Sequence, residues 1–344
     1  MADQSHADAV QRFAPSDNAT IVITLCRCFS WCMIGTVSAF LLNNYLNYWH
    51  DWPSATSIFT LGVSTLGLVQ VALYVLALVL AVGYVLRTSG RSLRADSEKI
   101  YGIVTFIVRA AFWAALLVGL ADIIVSFLRV EGFLPRLFSE KVAFDLARSS
   151  FRGTWVHFPM VIVGIGIAIV RPRTLGFPWL ALLVVGAELL IVFSRFIFSY
   201  EQAFMADLVR LWYAALFLFS SAYTLLEEGH VRVDVLYAGF SDRTKGMVNA
   251  VGSIVLGMTL CWVIIHYGMG SRAAIINSPL LSFEVTQTGF GLYVKYWMAG
   301  FLAIYAVTML LQFCGYFLES VADFRGDPGK RQPQTGVAHE HYET

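Results

Sequence analysis

Eight apolar stretches decide what this chain can fold into, because most of them exceed the roughly 18 residues that mark a membrane helix. They run Ile21–Tyr48, Ile58–Leu86, Tyr101–Leu128, Val156–Val170, Pro178–Phe198, Phe204–Leu226, Met247–Gly268 and Tyr296–Val321. Within hydrocarbon every backbone N–H and C=O needs an internal partner, and for isolated runs of this length an α-helix provides it. The expected fold is therefore all-α, a polytopic transmembrane helical protein of about eight spans. Val156–Val170 is the shortest run and stops at Arg171-Pro172-Arg173, so a tilted or half-inserted helix is the alternative reading there. Composition narrows the class further. With 58% hydrophobic and 14% charged residues, against about 25% charged in ordinary globular proteins, no water-soluble domain is expected. A net charge of +1 offers no basic field to a nucleic acid.

Orientation follows from where Lys and Arg fall, since cytoplasmic loops retain them. Residues 1–20 carry Asp3, Asp8 and Asp17 against Arg12, which is not the basic n-region of a cleaved leader, so the first run is expected to stay as a span. With the N-terminus inside, thirteen loop Lys/Arg residues are cytoplasmic and six (Arg136, Lys141, Arg148, Arg152, Arg272, Lys295) lie opposite. An even number of spans then puts both termini in the cytoplasm. The Glu131–Trp155 loop is the exception, with four of those six. It is amphipathic (Leu134, Leu137, Phe138, Val142, Phe144 and Leu146 among charges) and suited to lying along the outer surface. The chain divides into a cytoplasmic segment 1–20, a four-span region 21–173, a second four-span region 174–322 and a polar, disordered cytoplasmic tail 323–344.

Ionisable groups inside apolar runs carry the most information, because an unpaired charge in hydrocarbon is costly. Glu188 lies near the middle of the fifth run, with Arg195 at i+7 on the same face. Asp207 and Arg210 open the sixth. In an antiparallel hairpin these four can form one polar seam, read either as an ion or proton relay or as packing glue. Arg27 is placed to snorkel. Arg109 and Asp122 are about 20 Å apart along one helix and each needs a partner elsewhere.

Other residue types point to little chemistry. Cys26, Cys28 and Cys32 lack a nearby His or carboxylate, and only the last two share a helical face, so no metal site is expected. His50, His157 and His266 fall near span ends, which leaves a haem-bearing membrane anchor as a minor alternative. No P-loop, G-x-S-x-G or H-E-x-x-H is present, no catalytic constellation is expected, and the chain reads as a non-enzyme. Trp49, Trp52, Trp155, Trp179, Tyr200, Tyr296 and Trp297 suit an interfacial aromatic belt. Gly164 and Gly166 suit close helix approach.

The most charged point of the second half is Glu227-Glu228-Gly229-His230-Val231-Arg232-Val233-Asp234, between two apolar runs. Together with Val192-Phe193-Ser194-Arg195-Phe196 and Asp207-Leu208-Val209-Arg210, this string makes residues 174–322 resemble the small membrane subunit (Q-type) of tripartite ATP-independent periplasmic, or TRAP, transporters. The stretch Gly289-Phe290-Gly291-Leu292-Tyr293-Val294-Lys295-Tyr296-Trp297-Met298-Ala299-Gly300 is similar to the mannitol/chloroaromatic-type subgroup. The resemblance implies a non-catalytic subunit in the bacterial inner membrane. Its partners would be a large membrane subunit, which carries sodium and substrate, and a periplasmic solute-binding protein, which delivers an organic acid or similar solute. This chain itself would hold no cofactor. Glu228, Gly229, His230, Arg232 and Asp234 would then form a docking or structural motif. Family members ordinarily have about four spans, so the four preceding ones are an addition. A stand-alone secondary transporter using the Glu188 seam is the principal alternative.

Overall fold

The computed structural model describes residues 17–60, 62–171, 177–226, 237–285 and 291–330. Eight helices among them are long and apolar enough to cross a membrane: α1 (Asp17–Trp49), α2 (Thr65–Arg87), α3 (Leu93–Val130), α4 (Ser149–Val170), α5 (Phe177–Phe198), α6 (Ala203–Leu226), α7 (Asp242–Met269) and α8 (Lys295–Arg325). The chain is an all-α polytopic membrane protein.

Differences from the apolar runs have local causes. The second run does not begin its helix at Ile58. A one-turn helix, Ser57–Thr60, precedes Gly62, whose φ of 92° ends it, and Ser64 then caps α2 by accepting from the Gly67 N–H at 3.1 Å. The fourth run gains a polar first turn, because Arg152 and His157 lie inside α4 with both side chains buried. At 22 residues α4 is long enough to span. The last helix continues to Arg325, into the stretch read as tail.

The chain forms two compact units. The first comprises residues 1–99, 239–251 and 314–330. Here α1 and α2 lie side by side, close enough that a Cβ on Gly35 would stand 3.1 Å from the Ala77 carbonyl oxygen. Arg27 does not snorkel. Its side chain is fully buried, with Nε 2.7 Å from Asp96 Oδ2, and its remaining nitrogens donate to the Thr88 carbonyl and hydroxyl. Trp31 adds an indole N–H to the same carboxylate at 2.9 Å. The positive charge is met locally, so the stem has no reason to extend to the surface. Arg94 in turn holds Asp323 at 2.7 Å and the Asp327 and Pro328 carbonyls. Gly246 lets α7 touch the α8 backbone at Ser320 and Phe324.

The second unit comprises residues 100–238, 252–313 and 331–344. Its core is built from α3 (Ala111, Phe112, Ala115, Val118), α6 (Leu208, Leu211, Trp212, Ala215, Phe219) and Phe301 of α8. Small residues on α3 admit large ones from α6: Trp212 lies over Gly119 and donates to the Ala115 carbonyl at 3.3 Å. Gly164 brings α4 onto α3 so closely that a Cβ there would stand 2.7 Å from the Ala114 nitrogen, whereas Gly166 faces open space. In the 131–155 loop Leu134 and Leu146 turn inward while Leu137, Phe138, Val142 and Phe144 are exposed. That segment is a run of short helices, as an amphipathic surface segment requires.

Candidate functional site

The densest polar cluster in the second unit centres on Asp122, fully buried in α3. Arg152 Nη1 donates to Asp122 Oδ1 at 2.8 Å and to Ser126 Oγ at 3.0 Å, and Arg152 Nε donates to the Leu146 carbonyl. The Tyr293 N–H donates to the other carboxylate oxygen at 2.6 Å, and the Tyr293 ring lies 4.2 Å from the guanidinium. One carboxylate therefore ties α3 to the 131–155 loop, to α4 and to the segment leading into α8. A buried ion pair of this kind requires nearly all its lone pairs to be met, and this one largely satisfies that.

His157 completes the cluster. Trp297 Nε1 donates to His157 Nδ1 at 2.9 Å, and the Tyr296 hydroxyl meets the same nitrogen. An indole N–H can only donate, so Nδ1 is the acceptor and the ring proton is on Nε2. Nε2 lies 3.0 Å from Asp122 Oδ1, within ion-pair reach but out of line for a hydrogen bond. Arg152 and His157 are five residues apart, which on an ordinary α-helix turns them about 140° from one another. The backbone from Gly153 to His157 is instead a π-turn, whose i→i+5 bonding stacks residue i+5 over residue i. Both side chains thereby reach the same carboxylate. With Asp122 balanced by Arg152, the cluster is a latch holding the loop to the helices.

The sequence-derived seam is only partly assembled. Asp207, 2% exposed, pairs with Arg210 at 3.1 Å, one turn along α6. Arg195 is exposed on α5 and reaches Glu201, in the four-residue connection, at 3.5 Å instead of Asp207. Asp207 turns inward while Arg195 turns outward, so nearer partners win. Glu188 is exposed at mid-helix and forms no ion pair among the described residues. Its helix is nearly bare, with Ala187 the single buried residue among those of α5 whose side chains are described. In the same connection Tyr200 donates to Glu131 at 2.7 Å. Partial burial and that carboxylate push its phenol up to about 12, so the tie persists through any physiological pH. Glu228, Gly229, His230, Arg232 and Asp234 lie outside the described residues.

Sequence reasoning missed Arg152 as the partner of Asp122. Two anomalies held the signal: a carboxylate with no partner in its own span, and a surplus of positive charge in a loop on the outer side. Joined, they predict one ion pair. Gly164 met its expectation and Gly166 did not. Among the haem candidates, His157 has both ring nitrogens turned to protein groups. The cysteines are free thiols, and among the described residues no cluster of His, Cys, Asp and Glu suits a metal. An apolar cleft of about 300 Å3 opens between α3, α4 and α8, walled by Ala110, Ala111, Ala114, Ile165, Phe301 and Ile304 among others.

These geometries describe a helical membrane scaffold with one nearly uncovered helix, α5. Residues 183–323 match the family model for the DctQ component of tripartite ATP-independent periplasmic transporters. Over that region the chain is similar to the DctQ family. The DctQ match takes in α5 from Leu183, all of α6 and α7, and α8 to Asp323, and it contains the Glu228–Asp234 stretch; α1 to α4 lie outside it. DctQ proteins are small membrane subunits of the inner membrane, and this chain is a multi-pass protein of that membrane. No curated protein and no solved structure matches the chain.

Proposed function

We propose that this chain is the non-catalytic small permease subunit of a sodium-coupled TRAP transporter. It scaffolds a large membrane subunit that takes up an organic acid, or a similar solute, delivered by a periplasmic binding protein. The observation that carries this reading is the DctQ match across the last four spans. Two features agree with it. The cleft between α3, α4 and α8 is apolar and offers an organic acid no charge to bind. Among the described residues the ionisable groups of α5 and α6 pair locally or face outward and form no connected relay of the kind a self-sufficient carrier would use. In this reading residues 174–322 are the working four-span domain, residues 21–173 are an addition to it, and sodium is bound by the large subunit.

Both termini are cytoplasmic in this proposal. Of the six Lys/Arg residues assigned to the opposite side, Arg152 is neutralised by Asp122 and Lys295 by Glu284. Less free positive charge is then left outside than a plain count suggests. Reconstitution tests the whole: sodium-driven uptake is expected only when this chain, the large subunit and the binding protein are all present. Uptake by this chain alone in liposomes would overturn the assignment.

A further inference from the structure

We propose that the outward face of α5 is the contact surface for a transmembrane helix of the large subunit, and that this helix presents a cationic or hydrogen-bond-donating side chain to Glu188. The inference rests on the subunit reading above and gives it a location.

Glu188 stands eleven residues past Phe177 and ten before Phe198, about 15 Å from either end of the helix. That distance is half the thickness of a bilayer's hydrocarbon core, roughly 30 Å. The side chain is exposed, and the stripe that it shares at helical spacing, Val185, Val192 and Arg195, is exposed too. Facing lipid, this carboxyl would meet neither water nor a donor, and such groups are found turned to a protein interior, a partner or a water-filled cavity. Among the described residues the cations nearest to it in the α5–α6 hairpin are engaged elsewhere: Arg195 is held by Glu201, and Arg210 by Asp207.

The surface around Glu188 has the character of a helix-packing face. Leu189 is 48%, Phe193 56% and Phe196 79% exposed, giving a broad apolar field with a single acidic point in it. An apolar face of this kind accepts any helix, and the acid selects one with a complementary group at the same depth. A second copy of this chain is disfavoured by the same chemistry, since two copies meeting symmetrically through this face bring carboxylate against carboxylate. Most of α5 lies inside the DctQ match, so the face belongs to the part of the chain assigned to the transporter.

The test is co-expression of the full chain with its large subunit and affinity capture in mild detergent. Glu188→Leu and Glu188→Lys are compared with the wild-type chain after each is shown to be monodisperse. The substitutions lie on the outward face and leave the helix-forming backbone intact. Capture is expected to fall about tenfold or more in both, as for loss of one member of a desolvated polar pair. A photoreactive residue at Val185 or Val192 should cross-link to the large subunit. If wild-type chain captures the large subunit and both variants do so equally well, the Glu188 contact is refuted while the subunit role stands. Cross-links confined to a second copy of this chain, or to lipid, likewise refute it. Failure of the wild-type chain to capture the large subunit overturns the subunit role together with this contact.

Discussion

Arg152 and Asp122 are thirty positions apart in sequence and 2.8 Å apart in space, with neither side chain exposed. Each removes the other's reason for being unfavourable where it is. Truncating either alone leaves a buried charge without its counterpart, which costs about 3–5 kcal/mol. Asp122→Ala and Arg152→Ala should each lower thermal stability in detergent sharply. Removing both charges together, as Asp122→Asn with Arg152→Met, should restore much of the loss. A double-mutant cycle showing simple additivity would refute the coupling.

Gly164 and Gly166 differ by two residues and should differ in tolerance. Gly164→Val forces α4 away from the α3 backbone at Ala114, and overpacking of this kind costs about 1–3 kcal/mol. Gly166→Val adds atoms where nothing stands within 4 Å and should leave the melting temperature unchanged. Equal effects of the two substitutions on thermal unfolding would contradict the packing described.

The sequence pattern assigns His230 and Asp234 to docking. His230→Ala and Asp234→Ala should reduce the amount of large subunit recovered with the chain while leaving membrane insertion and detergent stability intact. Wild-type recovery by both variants would remove the motif from the interface.

The proposed topology places Ser139 and Ser241 on opposite faces of the membrane, and both are exposed. In a variant lacking the native cysteines, Ser139→Cys should react with a membrane-impermeant maleimide added to spheroplasts, and Ser241→Cys only after lysis. The reverse pattern would invert the chain.

Span positions were legible from length alone, because the solvent imposes one solution on a long apolar run. Pairing was less so. Arg27 sits near the end of a span, and by position alone a long basic side chain there reaches for the surface. Asp96 and Thr88, which hold it, come from other elements, and one sequence carries no signal that they converge. The α5–α6 hairpin failed as a seam for a rotational reason. Helical spacing places Glu188 and Arg195 on one face but says nothing about whether that face turns toward α6. The π-turn was invisible, since neither composition nor periodicity across Gly153–His157 differs from that of an ordinary helix.

That turn has a consequence for how this protein can vary. A π-turn accommodates one more residue than the α-turn it replaces. It takes up that residue locally, so Arg152 and His157 both meet Asp122 while Gly164 stays against Ala114. Deleting Thr154 would regularise α4 and leave the arginine and the histidine four residues apart, still on one face of an ordinary helix. A deletion between His157 and Gly164 has no such slack and would turn latch and helix contact about 100° out of phase. Substitutions along α4 can be absorbed one side chain at a time, and the loss of a residue only at the π-turn.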